Sequence, residues 1–183
     1  MSFLFDIETL GIESNTVVLS ASLLEVDFDK DFTYEELLEK TVFVKFDVME
    51  QIQKLGRTKT KSTVEWWMQQ SSEVKAKSFI PRISDVSVEY GLELLRSNYK
   101  KNHTIWIRGA LDNLAIDSLA EAAKVDKWAP WYMYRDVRTF IDLMKDTSNY
   151  SYCDIPNFDK NIVVKHDPCH DVAYDAFMMK YGI

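Results

Sequence analysis

The feature that most constrains this chain is its opening run, Ser2-Phe3-Leu4-Phe5-Asp6-Ile7-Glu8, which begins apolar and ends with carboxylates on alternate residues. Aromatic and branched residues in such a run favour a strand. Residues i and i+2 of a strand share a face. Asp6 and Glu8 therefore project together while Ile7 packs behind. Two same-side carboxylates repel each other unless a cation lies between them, and oxygen donors of this kind suit Mg2+ or Mn2+. The alternative is a strand end that simply meets solvent, and this pair alone does not decide between the two.

Gly11 and a polar turn through Asn15 follow, and then two further strand-like runs, residues 16–27 and 41–46, rich in β-branched and aromatic side chains. The middle of the chain changes period. Ser62 and Glu65 have the spacing of a capping box, and behind them Val64, Trp67, Met68 and Ser71 form a helical stripe. Val88, Leu92, Leu95 and Tyr99 form a second stripe. Residues 103–108 read as a strand ended by Gly109, and Leu111, Ala115, Leu119 and Ala122 mark the helix after it. Further helices are expected over 135–145 and 171–180. Strands first, then strand and helix in alternation, indicate one α/β domain over residues 1–183 with a mixed sheet.

The chain has 183 residues and a net charge of −7, which disfavours a broad basic surface for nucleic acid. It does not disfavour a metallonuclease, because clustered carboxylates become attractive to phosphate once they hold divalent cations. No run approaches the ~20 apolar residues of a membrane helix. The first strand begins almost at Met1, leaving no room for a signal peptide, so a cytoplasmic location is expected. Cys153 and Cys169 make neither a disulfide framework nor a zinc site on their own.

Three more acidic positions, Asp112, Asp117 and Asp175, invite attention. Asp112 precedes Ala115, Ile116 and Leu119 at helical spacing, so it borders an apolar face at a helix start, where the dipole favours an anion. Charge complementation of the first turn explains it as well as a metal does. Asp117, flanked by Asn113, Leu114, Ala120 and Glu121, is expected to face solvent. Near the C-terminus His170 and Asp175 are five apart and would diverge by about 140° on one helix. They converge better with His170 in the preceding loop, and Pro168 supports a helix start after it. Asp175 shares a face with Val172 and Met179, so its carboxylate needs a partner.

Taken together these residues resemble the DEDDh (DnaQ-like) exonuclease superfamily: Asp6-Ile7-Glu8-Thr9-Leu10-Gly11, then Asp112, then His170-x4-Asp175. More narrowly, the chain is similar to the phage exodeoxyribonuclease A group and a related mycobacterial exoribonuclease. The matching segments are Ser62 to Ser71, Trp106-x-x-Gly109-Ala110 with Asp112-Asn113, Trp131 leading to Arg135-Asp136-Val137-Arg138-Thr139, and His170-Asp171. The family usually has one more residue before its Asp-Asn pair, where this chain has Leu111, and Ala where this chain has Val172.

The resemblance implies a ribonuclease H-like (DnaQ-type) fold, a mixed five-stranded sheet flanked by helices. It implies that Asp6, Glu8, Asp112 and Asp175 hold two Mg2+ or Mn2+ ions about 3.5–4 Å apart. His170 would be the general base, and nucleoside 5′-monophosphates would leave from the 3′ ends of single-stranded DNA. The same chemistry on RNA stays open, since no residue announces acceptance or rejection of a 2′-OH. The backbone of Thr9, Leu10 and Gly11 would approach the terminal nucleotide, with Leu10 wedged against its base. Trp66 lies off the core stripe, where it either stacks on a base or packs under a loop. Arg135 and Arg138 either contact phosphate or fix a helix start through Asp136. A catalytically silent acidic interaction protein is the alternative from another class, disfavoured because all five catalytic-type residues are present. The sequence leaves the oligomeric state open, a homodimer included.

Overall fold

The computed structural model describes residues 1–145 and 151–183. β1 (Ser2–Thr9) and β2 (Val18–Val26) form an antiparallel hairpin, followed by α1 (Tyr34–Lys40) and β3 (Val42–Lys45). α2 (Val48–Gln53), α3 (Lys61–Met68) and a short α4 (Ser72–Val74) lead through a π turn at Lys75–Phe79 to α5 (Val88–Asn98). The remainder alternates: β4 (Thr104–Ile107), α6 (Ala110–Ala123), β5 (Tyr134–Asp136), α7 (Val137–Met144) and α8 (Pro168–Tyr181). The five strands lie in the order β3-β2-β1-β4-β5. β2 is antiparallel to both neighbours, while β1, β4 and β5 run parallel. This is the mixed α/β sheet of a ribonuclease H-like exonuclease fold.

Alternation along β1 sets where the chemistry goes. Phe3, Phe5 and Ile7 point into the core beneath α5 and α6, with Leu92, Leu95, Ala115, Ile116 and Leu119. Leu4 points the other way, into the core beneath α8, with Val172, Ala173 and Ala176. Asp6 and Glu8 have the parity of Leu4, so they emerge on the α8 face. Opposite them on β2 stand Ser22 and Ser20. Small side chains on the facing surfaces let α8 lie close against β1 and β2, and its acidic residues reach the strand carboxylates.

Several local expectations are revised. β5 occupies the start of the span that reads as helix 135–145, because parallel pairing of Tyr134–Asp136 with β4 precedes the helix. The helix starts at Val137, capped by the Asp136 side chain, which accepts from the Thr139 N–H. The Ser62/Glu65 capping box does not form: α3 begins two residues earlier, with Thr60 at its cap and no side-chain cap bond. Met68, expected on the core stripe, is 64% exposed, because Trp67 and the partly buried Val64 fill the space beneath this short helix. Among the described residues no helix is long and apolar enough to cross a membrane.

Candidate active site

Each acidic side chain reaches the site by a different route. Asp6 and Glu8 come from the C-terminal half of β1. α6 begins where β4 ends, after Gly109, whose φ of 117° is a conformation that favours glycine. This places Asp112 in the first turn of α6 with its carboxylate turned inward. α8 starts at Pro168, capped by Asp167, whose carboxylate accepts from the Cys169 N–H. Pro at the first helical position is preorganised for a helix start.

That start point decides which C-terminal residues enter the site. Asp6, Glu8 and Asp171 each offer one carboxylate oxygen, and these lie within 4.8 Å of one another. Asp112 is close enough for its charge to push up both Asp6 and Glu8. Asp175 lies near, but its carboxylate is taken: Arg108 Nε and Nη2 approach its Oδ1 at 2.9 and 2.6 Å. The partner that the apolar surroundings of Asp175 demanded is therefore an arginine.

His170 is also not where it was expected. α8 includes it, so it does not sit in a loop. Its Nδ1 lies 3.0 Å from the Tyr34 hydroxyl and accepts from the Val164 N–H at 3.3 Å. These contacts make it a brace between α1, α8 and the segment before α8. The loop histidine is His166, with a φ of 64°. Its backbone acts on the Asp171 carboxylate, and its ring stands edge-on to Trp66 with centroids 4.7 Å apart. His166 and Asp171 have the same five-residue offset as His170 and Asp175, four residues earlier. Sequence reasoning named Asp171 only within the matching pair His170-Asp171 and set His166 aside for want of a helical position, although Pro168 placed His166 before the helix and Asp171 inside it.

The carboxyl groups repel one another in a dry setting. Burial first, then neighbouring acids, pushes Asp6 and Glu8 well above the usual carboxylate range. Asp112 and Asp171 are each pushed up to about 7, again chiefly by burial. Burial holds the His166 imidazole below its ordinary range, so it is neutral and free to accept a proton at neutral pH.

This donor set fits divalent cations. It is all oxygen, as Mg2+ and Mn2+ prefer. Among the described residues the ion pairs of Lys77 and Arg108 go to Asp167 and Asp175 and not to Asp6, Glu8, Asp112 or Asp171, and Asp112 Oδ2 is buried without a hydrogen-bond partner. An orphaned buried carboxylate oxygen is costly unless something positive reaches it.

Other residues named from the sequence fall into place unevenly. Leu10 is only 4% exposed and packs with Val17, Leu19, Trp67 and Val74, so its side chain cannot wedge against a base. Ile12, two residues on, is the exposed apolar side chain of this loop. Gly11 has no room to spare: a Cβ there would meet Thr16 and Thr60 hydroxyls at 2.7 and 2.9 Å, so its missing side chain serves packing. Thr9 hydrogen-bonds the Gly11 carbonyl and accepts the Trp67 Nε1–H on its own carbonyl. Trp66 is 37% exposed, between Trp67 and His166. Arg138 is half-exposed, ion-paired with Asp136, and its guanidinium lies over Gly109. Its charge reaches Asp112 and Asp175. Arg135 instead donates to the carbonyls of Tyr132 and Tyr134. Asp117, expected in solvent, is 9% exposed, because Lys127 folds over it at 3.1 Å.

Comparison with known proteins identifies the family. Residues 1–182 match the model of the 3′-5′ exoribonuclease Rv2179c-like domain. The chain is also 29% identical to a protein of Enterobacteria phage T4 named exodeoxyribonuclease, over 99% of this chain and 88% of that one. With a matching fold, a matching family over its whole length and a dry carboxylate cluster, the chain belongs to the Rv2179c-like 3′-5′ exoribonuclease domain family, within the DnaQ-like exonuclease group, and is a nuclease.

Proposed function

We propose that this chain removes nucleoside 5′-monophosphates from the 3′ ends of single-stranded DNA, using two Mg2+ or Mn2+ ions held by Asp6, Glu8, Asp112 and Asp171. The observation that carries this reading is the convergence of Asp6, Glu8 and Asp171 oxygens within 4.8 Å, with the buried, unpartnered Oδ2 of Asp112 beside them. DNA is favoured over RNA by the phage exodeoxyribonuclease, which aligns with almost the whole chain. The family description favours RNA, and both substrates belong in the test.

Bound divalent ions would lower the pKa of water and stabilise the leaving 3′ oxygen. The chain's own residues do the rest. Asp6 and Glu8, fixed on a strand, and Asp112 and Asp171, fixed on helix starts, form a rigid oxygen set. His166 takes the proton of the attacking water from its loop position. Trp66 stands at right angles to the imidazole and limits how far its ring can swing. Arg138, half-exposed beside Asp112, is placed to meet a phosphate oxygen. We place this activity in the cytoplasm of a bacterial host or a phage-infected cell.

The deciding experiment supplies single strands of DNA and of RNA, labelled at either end, with Mg2+, Mn2+ or EDTA. Ladders should shorten from the 3′ end, faster on DNA, and vanish in EDTA. Undiminished hydrolysis in EDTA, or cutting of a circular single strand, would overturn the reading. Faster loss of the RNA would reverse the substrate and leave the chemistry intact.

Trp66 offers a second check. If its exposed ring also stacks on a base, Trp66→Ala should raise KM about tenfold or more, the equivalent of ~1–3 kcal/mol. The melting temperature should change little because the ring is already partly in water. A sharply lowered melting temperature with unchanged kcat/KM would make Trp66 a packing residue only.

A further inference from the structure

Arg108 is held beside this cluster of acids by a buried ion pair with Asp175. It stands at the end of β4, directly before Gly109 and α6, and shares the parity of Trp106, which packs against the α8 face. Its Nε donates to Asp175 Oδ1 at 2.9 Å and lies 3.1 Å from Oδ2, while Nη2 donates to Oδ1 at 2.6 Å. Nη1 donates to the Ser151 carbonyl at 3.2 Å, and the guanidinium carbon sits 4.3 Å over the Tyr152 ring. The two side chains of the pair are 18% and 11% exposed. A bidentate, nearly dry pair of this kind has one geometry, unlike a surface pair that samples many.

Its place in the fold makes it a strut. One end is fixed at β4, immediately ahead of the helix that carries Asp112. The other is fixed on α8, one turn beyond Asp171. The pair also acts by charge. Asp175 pushes up Asp6, Asp112 and Asp171, whereas Arg108 pulls Asp171 down. At Asp171 the two effects oppose each other while both partners are present. The more exposed Arg138 acts on Asp112 and Asp175 in the same sense as Arg108.

We propose that the Arg108–Asp175 ion pair is a positioning element that sets the divalent-ion affinity of the carboxylate cluster, with Asp175 acting through its balance against Arg108 and not as a ligand. The proposal rests on the reading of Asp6, Glu8, Asp112 and Asp171 as ion ligands. Its consequence is a difference in sign. Removing the guanidinium leaves an unopposed negative charge beside the ions and tightens their binding. Removing the Asp175 carboxylate leaves an unopposed cation there and weakens it. A unit charge a few ångströms away in a partly buried site changes an affinity by on the order of tenfold or more.

The test measures Mn2+ binding to the full chain by electron paramagnetic resonance of the free ion, without substrate. Arg108→Gln should lower the Mn2+ Kd about tenfold, Asp175→Asn should raise it about tenfold, and the double variant should return close to wild type. Both single variants weakening Mn2+ alike would reduce the pair to an ordinary structural contact and overturn the proposal, as would no change in either. Should Arg108→Gln fail to fold, Arg108→Lys keeps the charge and should hold the wild-type Kd, while Asp175→Asn still weakens binding. A changed Kd in Arg108→Lys, or an unchanged one in Asp175→Asn, would refute the charge argument. Wild-type protein that binds no Mn2+ would bring down the ligand reading itself, a result distinct from variants that move in the same direction.

Discussion

Asp171→Asn should reduce turnover by on the order of 10³-fold or more, because the ions it is proposed to hold would contribute several kcal/mol to the transition state. His166→Ala should lower kcat by about 10²–10⁴, the usual contribution of a positioned base, with a smaller change in KM. His170→Ala should behave differently. It removes the contacts with Tyr34 and Val164, so it should cost about 1–3 kcal/mol of stability while the folded fraction turns over within a few-fold of wild type. Steady-state kinetics on a single-stranded substrate, with circular-dichroism melts, separates these outcomes. A dead His170→Ala that melts normally, beside an active His166→Ala, would restore the later histidine to the reaction.

The choice between these histidines shows how far the sequence can be read. The stretch from His166 to Asp175 contains two overlapping His-x4-Asp patterns. Both satisfy the spacing. Only one satisfies the helix. A histidine and an aspartate five apart converge when the first precedes the helix and the second lies within it, and Pro168 sets that boundary at residue 168. Applied strictly, the two statements select His166 and Asp171. The apolar neighbours of Asp175 pointed elsewhere, because a buried carboxylate reads alike whether its partner is a metal or an arginine 67 residues away. Long-range pairing of this kind has no local signature.

Asp6 and Glu8 were legible for the opposite reason. Their shared face follows from strand period alone, and the strand is strongly marked by Phe3, Leu4 and Phe5. The mixed sheet followed from the order of strand-like and helical runs. β5 was not legible, since three residues ahead of a helix carry no period of their own and pair only because β4 lies alongside. Leu10 and Gly11 misled because a resemblance carries the role of a motif without its packing: Leu10 fills the cluster around Trp67, and Gly11 makes room for Thr16 and Thr60. The burial of Asp117 depends on Lys127, ten residues on and beyond the end of α6.

Without metal, Asp112→Asn should make the protein more stable at pH 8 while abolishing most turnover. Asp112 and Asp171 are pushed up to about 7, against ~3.9 for an aspartate in the unfolded chain. Between those values the folded state binds more protons than the unfolded state, so stability falls as pH rises from about 4 and the loss is complete above about 7. His166 and His170 work against this trend. Burial holds both below their ordinary range, so they favour folding as pH rises towards ~6.5. The difference between wild type and Asp112→Asn removes their contribution. In EDTA the two melting temperatures should converge near pH ~4 and separate by pH 8, with the variant higher. Each kcal/mol recovered appears as about 2–4 °C. Excess Mn2+ should reverse the order, because the ion then stabilises the intact site and the variant has lost a ligand. Asp117→Asn provides the control. Lys127 already offsets the Asp117 charge, so that variant should keep activity within a few-fold of wild type and show no Mn2+-dependent reversal. A metal-free Asp112→Asn that melts below wild type at pH 8 would mean that the orphaned Oδ2 has a favourable partner of its own. The cluster would then not be held open for a cation.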